Sequence, residues 1–283
     1  LRVRPRWIMP FTLSHPAAVL PLMRSPLVPA ALVCGAMAPD VPYFLGATGL
    51  TASAQAWYGE ALNATYSHSF DGLWLSLLFG LLLFAGYLPA RRPVVALLPA
   101  RLMVTPPPGR AAAGGSPGAA AAWAGWVVVS VGIGVLTHVA WDALIREGSG
   151  GALARVLQVL STLGGLVAIA IYLRARRSAA DRPGPRRDRL PRGVRGPILG
   201  ALGLGTLLGA VVLMDPASYV HEWTAGTLHL ESLLSHGVKA TAASGLLVAA
   251  LYVAGWWIRH AASGASGRPV EPVEPAADRS ERA

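Results

Sequence analysis

The sequence predicts an all-α membrane protein: a polytopic helical bundle with about five spans and a short buried or re-entrant N-terminal helix. Three observations predict this fold class. Only 13% of the 283 residues are charged, against ~25% in soluble domains. Mean hydropathy is +0.48. Several apolar runs approach the ~20 residues that cross a ~30 Å hydrocarbon core.

Five apolar runs are long enough to span. They are residues 73–90, 123–145, 156–173, 196–214 and 240–258. A sixth run, residues 27–38, is too short and too rich in proline to cross alone. We therefore expect it to be a buried or re-entrant helix covered by protein, since unpaired backbone is not tolerated against lipid.

Loop charge predicts the orientation of the spans. The net charge is +10, and most basic residues are arginines in the connections that follow residues 90 and 173. The positive-inside rule places these connections in the cytoplasm. The start of the first span, the end of the second and residues 215–236 then face outward. This distribution favours a multi-pass protein of the cell membrane, such as a bacterial inner membrane, with the lipid bilayer and no nucleic acid as its partner.

The chain divides into three predicted regions. Residues 1–150 carry the candidate site, residues 151–260 are C-terminal transmembrane helices, and residues 261–283 are a polar, proline-rich cytoplasmic tail without fixed structure. Residues 105–122, rich in Pro, Gly and Ala, are expected to form a flexible cytoplasmic loop. The oligomeric state is left open.

Ionisable residues in or beside apolar segments are the candidate functional residues, because each is costly in a membrane unless paired or facing a cavity. His138 and Asp142 stand four residues apart, so on a helix both side chains share one face and can point at one ion. The alternative is a His–Asp hydrogen bond that joins two helices. The predicted topology places His68 on the same outward side, although a solvated histidine at a helix entry is the simpler interpretation.

Two further candidates lie near the N-terminus. Asp40 lies between Pro39 and Pro42, a context that also suits an ordinary turn. His15 follows Ser14, which could instead be a helix cap. If residues 27–38 crossed the membrane, His15 and Asp40 would lie on opposite faces and could not share a site.

Together these candidates make three imidazoles and two carboxylates: His15, Asp40, His68, His138 and Asp142. No thiolate joins them, because the single cysteine, Cys34, lies in an apolar run and is expected to be buried. Nitrogen and oxygen ligands suit zinc, with manganese or iron as alternatives. Five ligands exceed the three of one catalytic zinc, so a two-metal site with a bridging carboxylate is feasible.

The ordered motifs resemble a known family. Residues 9–16 (MPFTLSHP), 35–40 (GAMAPD), 66–69 (YSHS) and 134–142 (GVLTHVAWD) are similar to an uncharacterised family of bacterial integral membrane proteins. The same order resembles membrane-bound metal-dependent hydrolases and, more distantly, the zinc-dependent phospholipase C and nuclease fold. The resemblance covers about the first 150 residues.

The resemblance implies roles for these residues. Asp40, His68, His138 and Asp142 would hold one metal, and His15 would join a second metal, with Asp142 as the bridge. The phospholipases hold a third metal through a His-x-x-x-Glu motif, which is missing here. A group of acidic and histidine residues does crowd one outward loop without an assigned role: His221, Glu222, His229, Glu231 and His236.

Three functions remain open at this point. The first is a metal-dependent hydrolase that acts on a phosphoester or lipid head group at the outer face, with Asp40 or Asp142 taking a proton from the attacking water. The second is a non-catalytic membrane protein whose cluster is structural or only binds metal. The third, a transporter or channel, is disfavoured because the last three spans carry almost no charge and no inverted repeat is visible.

Overall fold

The computed structural model describes residues 12–48, 64–98, 116–148, 152–178, 190–215 and 230–265, with residues 220, 224 and 226. These residues form helices and contain no strand, which confirms the all-α prediction. The α-helices are α1 (Pro29–Met37), α2 (Val41–Ala47), α3 (Ala64–Ser67), α4 (Leu73–Leu97), α5 (Pro117–Gly148), α6 (Ala152–Ser178), α7 (Arg192–Met214) and α8 (Leu230–Ala265). Two 3-10 helices, Thr12–Leu22 and Ala38–Asp40, complete the set. We call Thr12–Leu22 the N-terminal arm.

Six described helices are long and apolar enough to cross a membrane, so the chain is a multi-pass membrane protein. All five predicted spans are confirmed within longer segments: Leu73–Leu97, Pro117–Ile145, Val156–Arg176, Gly193–Met214 and His236–Ala262. Two predictions of irregular structure are wrong in part. Residues 117–122, placed in a flexible loop, are helical because α5 begins at Pro117, and α8 continues to Ala265. Residues 105–115 and 266–283 lie outside the described residues.

The sixth candidate span, Pro29–Ala47, is longer than the apolar run 27–38 and is the most buried of the six. Here α1 continues through the 3-10 turn Ala38–Asp40 into α2, so the helical run is longer than the sequence indicated. The N-terminal arm then turns at residues 23–28 and runs back along α1, and its Val19 packs against Leu32 and Ala36. This hairpin brings His15 back to the level of Asp40. His15 and Asp40 therefore lie in one cluster, although Pro29–Ala47 is long enough to span a membrane.

The core lies where α1, α4 and α5 meet. The amide of Val28, at the start of α1, donates to Ser130 Oγ of α5 (2.9 Å). Eight residues further along each helix, Ala36 O contacts His138 Nδ1, so α1 and α5 run parallel. Gly134 lies against the α1 backbone at Leu32, which permits this close approach. Buried apolar side chains fill the space between the helices: Leu75, Phe79, Phe84, Val127, Val131, Val135 and Val139.

The remaining helices surround this core. The N-terminal arm lies against α6, α7 packs on α8, and α8 packs on α2 and α4. Lys239 near the start of α8 lies over the Tyr43 ring, whereas Tyr252 further along donates to Pro93 O of α4. The start of α8 thus lies at the same end of the bundle as the start of α4 and the end of α5, as loop charge predicted. Which membrane face this end occupies stays a prediction.

Candidate metal centre

The five candidate residues of the sequence lie together in one buried cluster. His15 comes from the N-terminal arm, Asp40 from the 3-10 turn after α1, His68 from the turn after α3, and His138 and Asp142 from α5. His15, Asp40, His68 and His138 are each at most 6% exposed. The Asp142 side chain is 10% exposed. Four separate chain segments therefore supply polar side chains to one point between apolar helices.

Backbone carbonyls fix the two central imidazoles. Nδ1 of His68 lies 2.7 Å from Ala64 O, and Nδ1 of His138 lies 2.7 Å from Ala36 O. A carbonyl only accepts, so each Nδ1 carries its proton and donates. In a neutral ring Nε2 then presents a lone pair. The two Nε2 atoms face each other at 3.2 Å, and the N–H to carbonyl bond behind each ring is the support that metal-ligating histidines usually have.

Two carboxylates complete the inner group. Asp40 Oδ1 lies 3.1 Å from His68 Nε2 and 3.8 Å from His138 Nε2. Asp142 Oδ2 lies 3.4 Å from His138 Nε2 and 3.6 Å from His68 Nε2. With neutral rings, four acceptor atoms converge without a donor among them. Their spacing resembles the edge of a tetrahedron, which is ~3.3 Å when metal–ligand bonds are ~2.0–2.1 Å.

His15 forms the second part of the cluster. Its ring stacks on His138, with centroids 3.7 Å apart and planes 16° apart. Its Nε2 lies 3.8 Å from Asp142 Oδ1, the oxygen that does not face the inner group. Burial, together with the neighbouring His138, lowers the pKa of His15 to about 4. The ring is therefore neutral at pH 7, which is the form that binds metals.

Three buried polar atoms of the cluster have no hydrogen-bond partner. They are His15 Nε2, Asp40 Oδ2 and Asp142 Oδ1. Such atoms are rare in native structures and commonly mark an ion or water that completes the site. Histidines make five close contacts with the two aspartates. A divalent cation would compensate both carboxylate charges.

A chain of serine hydroxyls holds the segments in register. Ser67 Oγ donates to Pro39 O (2.7 Å), which joins the turn bearing His68 to the turn bearing Asp40. Ser76 Oγ of α4 in turn donates to Ser67 O (2.7 Å). Both hydroxyls are fully buried. The relative position of His68 and Asp40 thus depends on groups that touch neither Nε2 nor the carboxylate.

Comparison with known proteins supports one assignment. Residues 9–152 match the DUF4184 family, described as a domain of unknown function, and this match covers just over half of the chain. The chain belongs to the DUF4184 family. All five clustered residues lie inside the matched segment, whereas α7 and α8 lie outside it. No curated protein and no solved structure matches the chain.

The geometry decides some of the alternatives left open by the sequence. His68 is buried, so its interpretation as a solvated residue is wrong. Asp40 ends a buried 3-10 turn and faces two imidazoles, which an ordinary surface turn would not do. His138 and Asp142 contact each other within one helix and also reach residues of three other segments. Of the outward-loop group, His221, Glu222 and His229 lie outside the described residues.

The sequence did not reveal Ser67 or the carbonyls of Ala36 and Ala64 as parts of the site. Ser67 stands beside His68 in the YSHS motif, and that adjacency was the available signal. The carbonyl contacts depend on helix register, which residue types do not encode. Trp141, which the sequence did not single out as a site residue, lines a cavity beside His15.

Proposed function

We propose that this DUF4184 protein is a metal-dependent hydrolase of the phosphoester class, with its site toward the outer face of a cell membrane. One observation carries the proposal. Imidazole and carboxylate acceptors converge in a buried cluster, and three further polar atoms there lack a hydrogen-bond partner. Acceptors that face one another without protons or a cation repel, so the arrangement favours a bound divalent metal.

The distances suggest how two metals would be shared. Ligand atoms of His68, His138 and Asp142 all lie within 4.8 Å of one another, and Asp40 Oδ1 lies 3.1 Å from His68 Nε2. In the proposal these four residues would hold one metal. Asp142 Oδ1 faces His15 instead, which is the arrangement that a bridging carboxylate needs. The second position, with His15, has fewer protein ligands and leaves room for water and substrate. Zinc fits this donor set, and manganese or iron are the alternatives.

The chemistry follows from that ligand set. A divalent metal there would supply a Lewis acid for the phosphoryl oxygen and a water of lowered pKa. The water oxygen adds to phosphorus, the bond from phosphorus to the leaving oxygen breaks, and the proton of the water ends on that leaving oxygen. Asp40 or Asp142 would carry this proton. Asp40 Oδ2 supports the role because it is buried and has no other partner.

The order of the motifs, which resembles metal-dependent hydrolases, agrees with this proposal. The competing function is a non-catalytic protein in which protonated imidazoles pair with the two aspartates and brace the bundle. The short contacts of His68 with Asp40 and of His138 with Asp142 favour that candidate. The two functions differ in metal content, which is therefore the first measurement.

The test is plasma mass spectrometry on the detergent-purified protein and three variants. We expect one or two equivalents of metal in the wild type, and a loss of about tenfold or more in His138→Ala and Asp142→Ala, because each removes an inner ligand. His260→Ala is the matched control, since this exposed histidine stacks on Trp256 near the end of α8 and should change nothing.

The loaded protein is then assayed with bis(p-nitrophenyl) phosphate, with and without a chelator. Chelator-sensitive release of nitrophenol would support hydrolysis. A folded wild type that binds no metal at all would refute the metal centre. Metal retained in both ligand variants would refute the assignment of these residues. Stable metal binding without turnover of any phosphoester would favour the non-catalytic candidate.

A further inference from the structure

A cavity of about 340 Å³ lies between the N-terminal arm, α5 and α6. Its wall includes His15 and Ala18 of the arm, Trp141 of α5, and Gly164 and Ala168 of α6. Its volume falls within the ~300–1,000 Å³ that ligand pockets commonly have. Most of the wall is made of small apolar groups and one indole, so the cavity suits an apolar occupant.

One wall of the cavity is α6, a helix with exposed apolar side chains. On α6, Leu163, Val167 and Ile171 are each more than half exposed, and the helix lies in the candidate span Val156–Arg176. An apolar face of this kind in a membrane chain is solvated by acyl chains rather than water. A bilayer lipid therefore reaches the cavity without leaving its own environment, whereas a water-soluble molecule would have to cross that layer.

The inner wall of the cavity belongs to the candidate metal centre. His15 is 6% exposed, lines the cavity, and its Nε2 has no hydrogen-bond partner. An occupant that fills this space thus meets apolar groups along its length and the His15 ring at one end. The same ring carries the buried Nε2 that faces Asp142 Oδ1. A molecule with an acyl chain and an oxygen-rich head matches both.

We propose that this cavity holds an acyl chain of a membrane phospholipid whose phosphate lies at the His15 side of the metal centre. The assignment rests on the proposed hydrolase function, and it specifies the substrate class as a phospholipid of the surrounding bilayer. The cavity between the N-terminal arm and α6 is then the part of the site that selects lipid substrates over soluble ones. A soluble phosphoester would use the same head-group position without filling the cavity.

Two adjacent glycines of α6 have different roles in the wall of this cavity. A Cβ on Gly165 would lie 2.9 Å from Ser14 Cβ and O, so Gly165 lets the arm approach α6. A Cβ on Gly164 meets nothing within 4 Å, and Gly164 lines the cavity. Gly164→Leu therefore fills the cavity without a backbone clash. Gly203→Leu on α7 is the matched control, because that position also has open space and lies outside the cavity.

The test uses the full chain in nanodiscs that contain phosphatidylglycerol with a photoreactive diazirine on one acyl chain. After illumination, labelled residues are located by peptide mass spectrometry. We expect label at Trp141 and Ala168 in the wild type and in Gly203→Leu, and a several-fold loss there in Gly164→Leu. Label at Leu163 and Ile171, which face bulk lipid, should be the same in all three proteins and corrects for lipid content.

Metal content is measured on the same samples, which separates the two proposals. Equal labelling of Trp141 and Ala168 in Gly164→Leu and wild type would overturn the acyl-chain site even if metal is bound. Localised labelling that Gly164→Leu removes while metal content is unchanged would support it. A protein that shows the localised label but never binds metal would refute the hydrolase function, and with it the substrate assignment.

Discussion

The helices of the N-terminal region and those of the C-terminal region are built differently, although both are apolar. Within an apolar window of each helix, 44% of residues are buried in Pro29–Ala47 and 28% in both Leu73–Leu97 and Pro117–Ile145. The corresponding shares are 6% for Val156–Arg176, 6% for Gly193–Met214 and 11% for His236–Ala262. The first set packs on itself, whereas the second set mainly presents side chains outward.

This difference follows from what each region must hold. Lipid is as apolar as leucine, so burying more leucine gives membrane helices little reason to associate, and close packing at small residues does so instead. The N-terminal region has such contacts at Gly35, Gly80 and Gly134, and it encloses the polar cluster. In the C-terminal region such a contact joins α7 to α8 at Gly209, and most other side chains of these helices point outward, away from the cluster.

The largest predicted effect tests this packing contrast directly. In Gly134→Ala the new Cβ would lie 2.3 Å from Leu32 O and 2.6 Å from Ala36 N, both backbone atoms that cannot rotate away. We expect a loss of about 3 kcal/mol in the free energy of unfolding, at the upper end of overpacking costs. Gly203→Ala meets nothing within 4 Å and should be neutral or slightly stabilising. Thermal unfolding in detergent measures both, and equal midpoints would contradict the contrast.

The sequence predicted the helical membrane fold, and its weak individual signals together indicated all five members of the cluster. Long apolar runs have few alternatives to spanning helices, and ionisable residues beside such runs are rare enough to stand out. The spacing of His138 and Asp142 even predicted their contact on one helix. The positions of His15 and Asp40 relative to each other were not predictable, because they depend on the hairpin between the N-terminal arm and α1.

The backbone carbonyls that position the two central histidines were also not predictable from the sequence. Ala36 and Ala64 contribute only carbonyl oxygens, so any residue type at these positions could make the same contact. The role of Ala36 arises from the register between α1 and α5, which Gly134 permits, whereas Ala64 lies one helical turn before His68. The limit of the prediction is therefore physical: residue types indicate which groups are costly in lipid, and tertiary packing decides which of them meet.

The second prediction concerns the serine that joins two ligand-bearing turns. Ser67→Ala removes the hydrogen bond to Pro39 O and leaves that carbonyl buried. Asp40 and His68 then lose their fixed separation, and we expect metal affinity to fall about tenfold, the lower end for outer-shell substitutions. Competition with a chromophoric zinc chelator measures it.

Ser244→Ala is the control for this prediction from the C-terminal region. Ser244 Oγ donates to Thr206 O (2.8 Å) and joins α8 to α7 in the same way, but it holds no candidate ligand. Its loss should leave metal affinity unchanged. Similar losses of affinity in both serine variants would show that general destabilisation, and not the position of the ligands, governs metal binding.

The smallest predicted effect lies where the two regions meet. Pro93 has no N–H, so the carbonyl of Pro89 in α4 lacks its usual helical donor. Trp257 Nε1 of α8 donates to that carbonyl (3.1 Å). Trp257→Phe keeps most of the ring and removes the donor, which should cost about 1 kcal/mol in unfolding free energy without changing metal content. Trp256→Phe is the control. If the two variants unfold at the same midpoint, the Trp257 hydrogen bond does not stabilise the contact between α8 and α4.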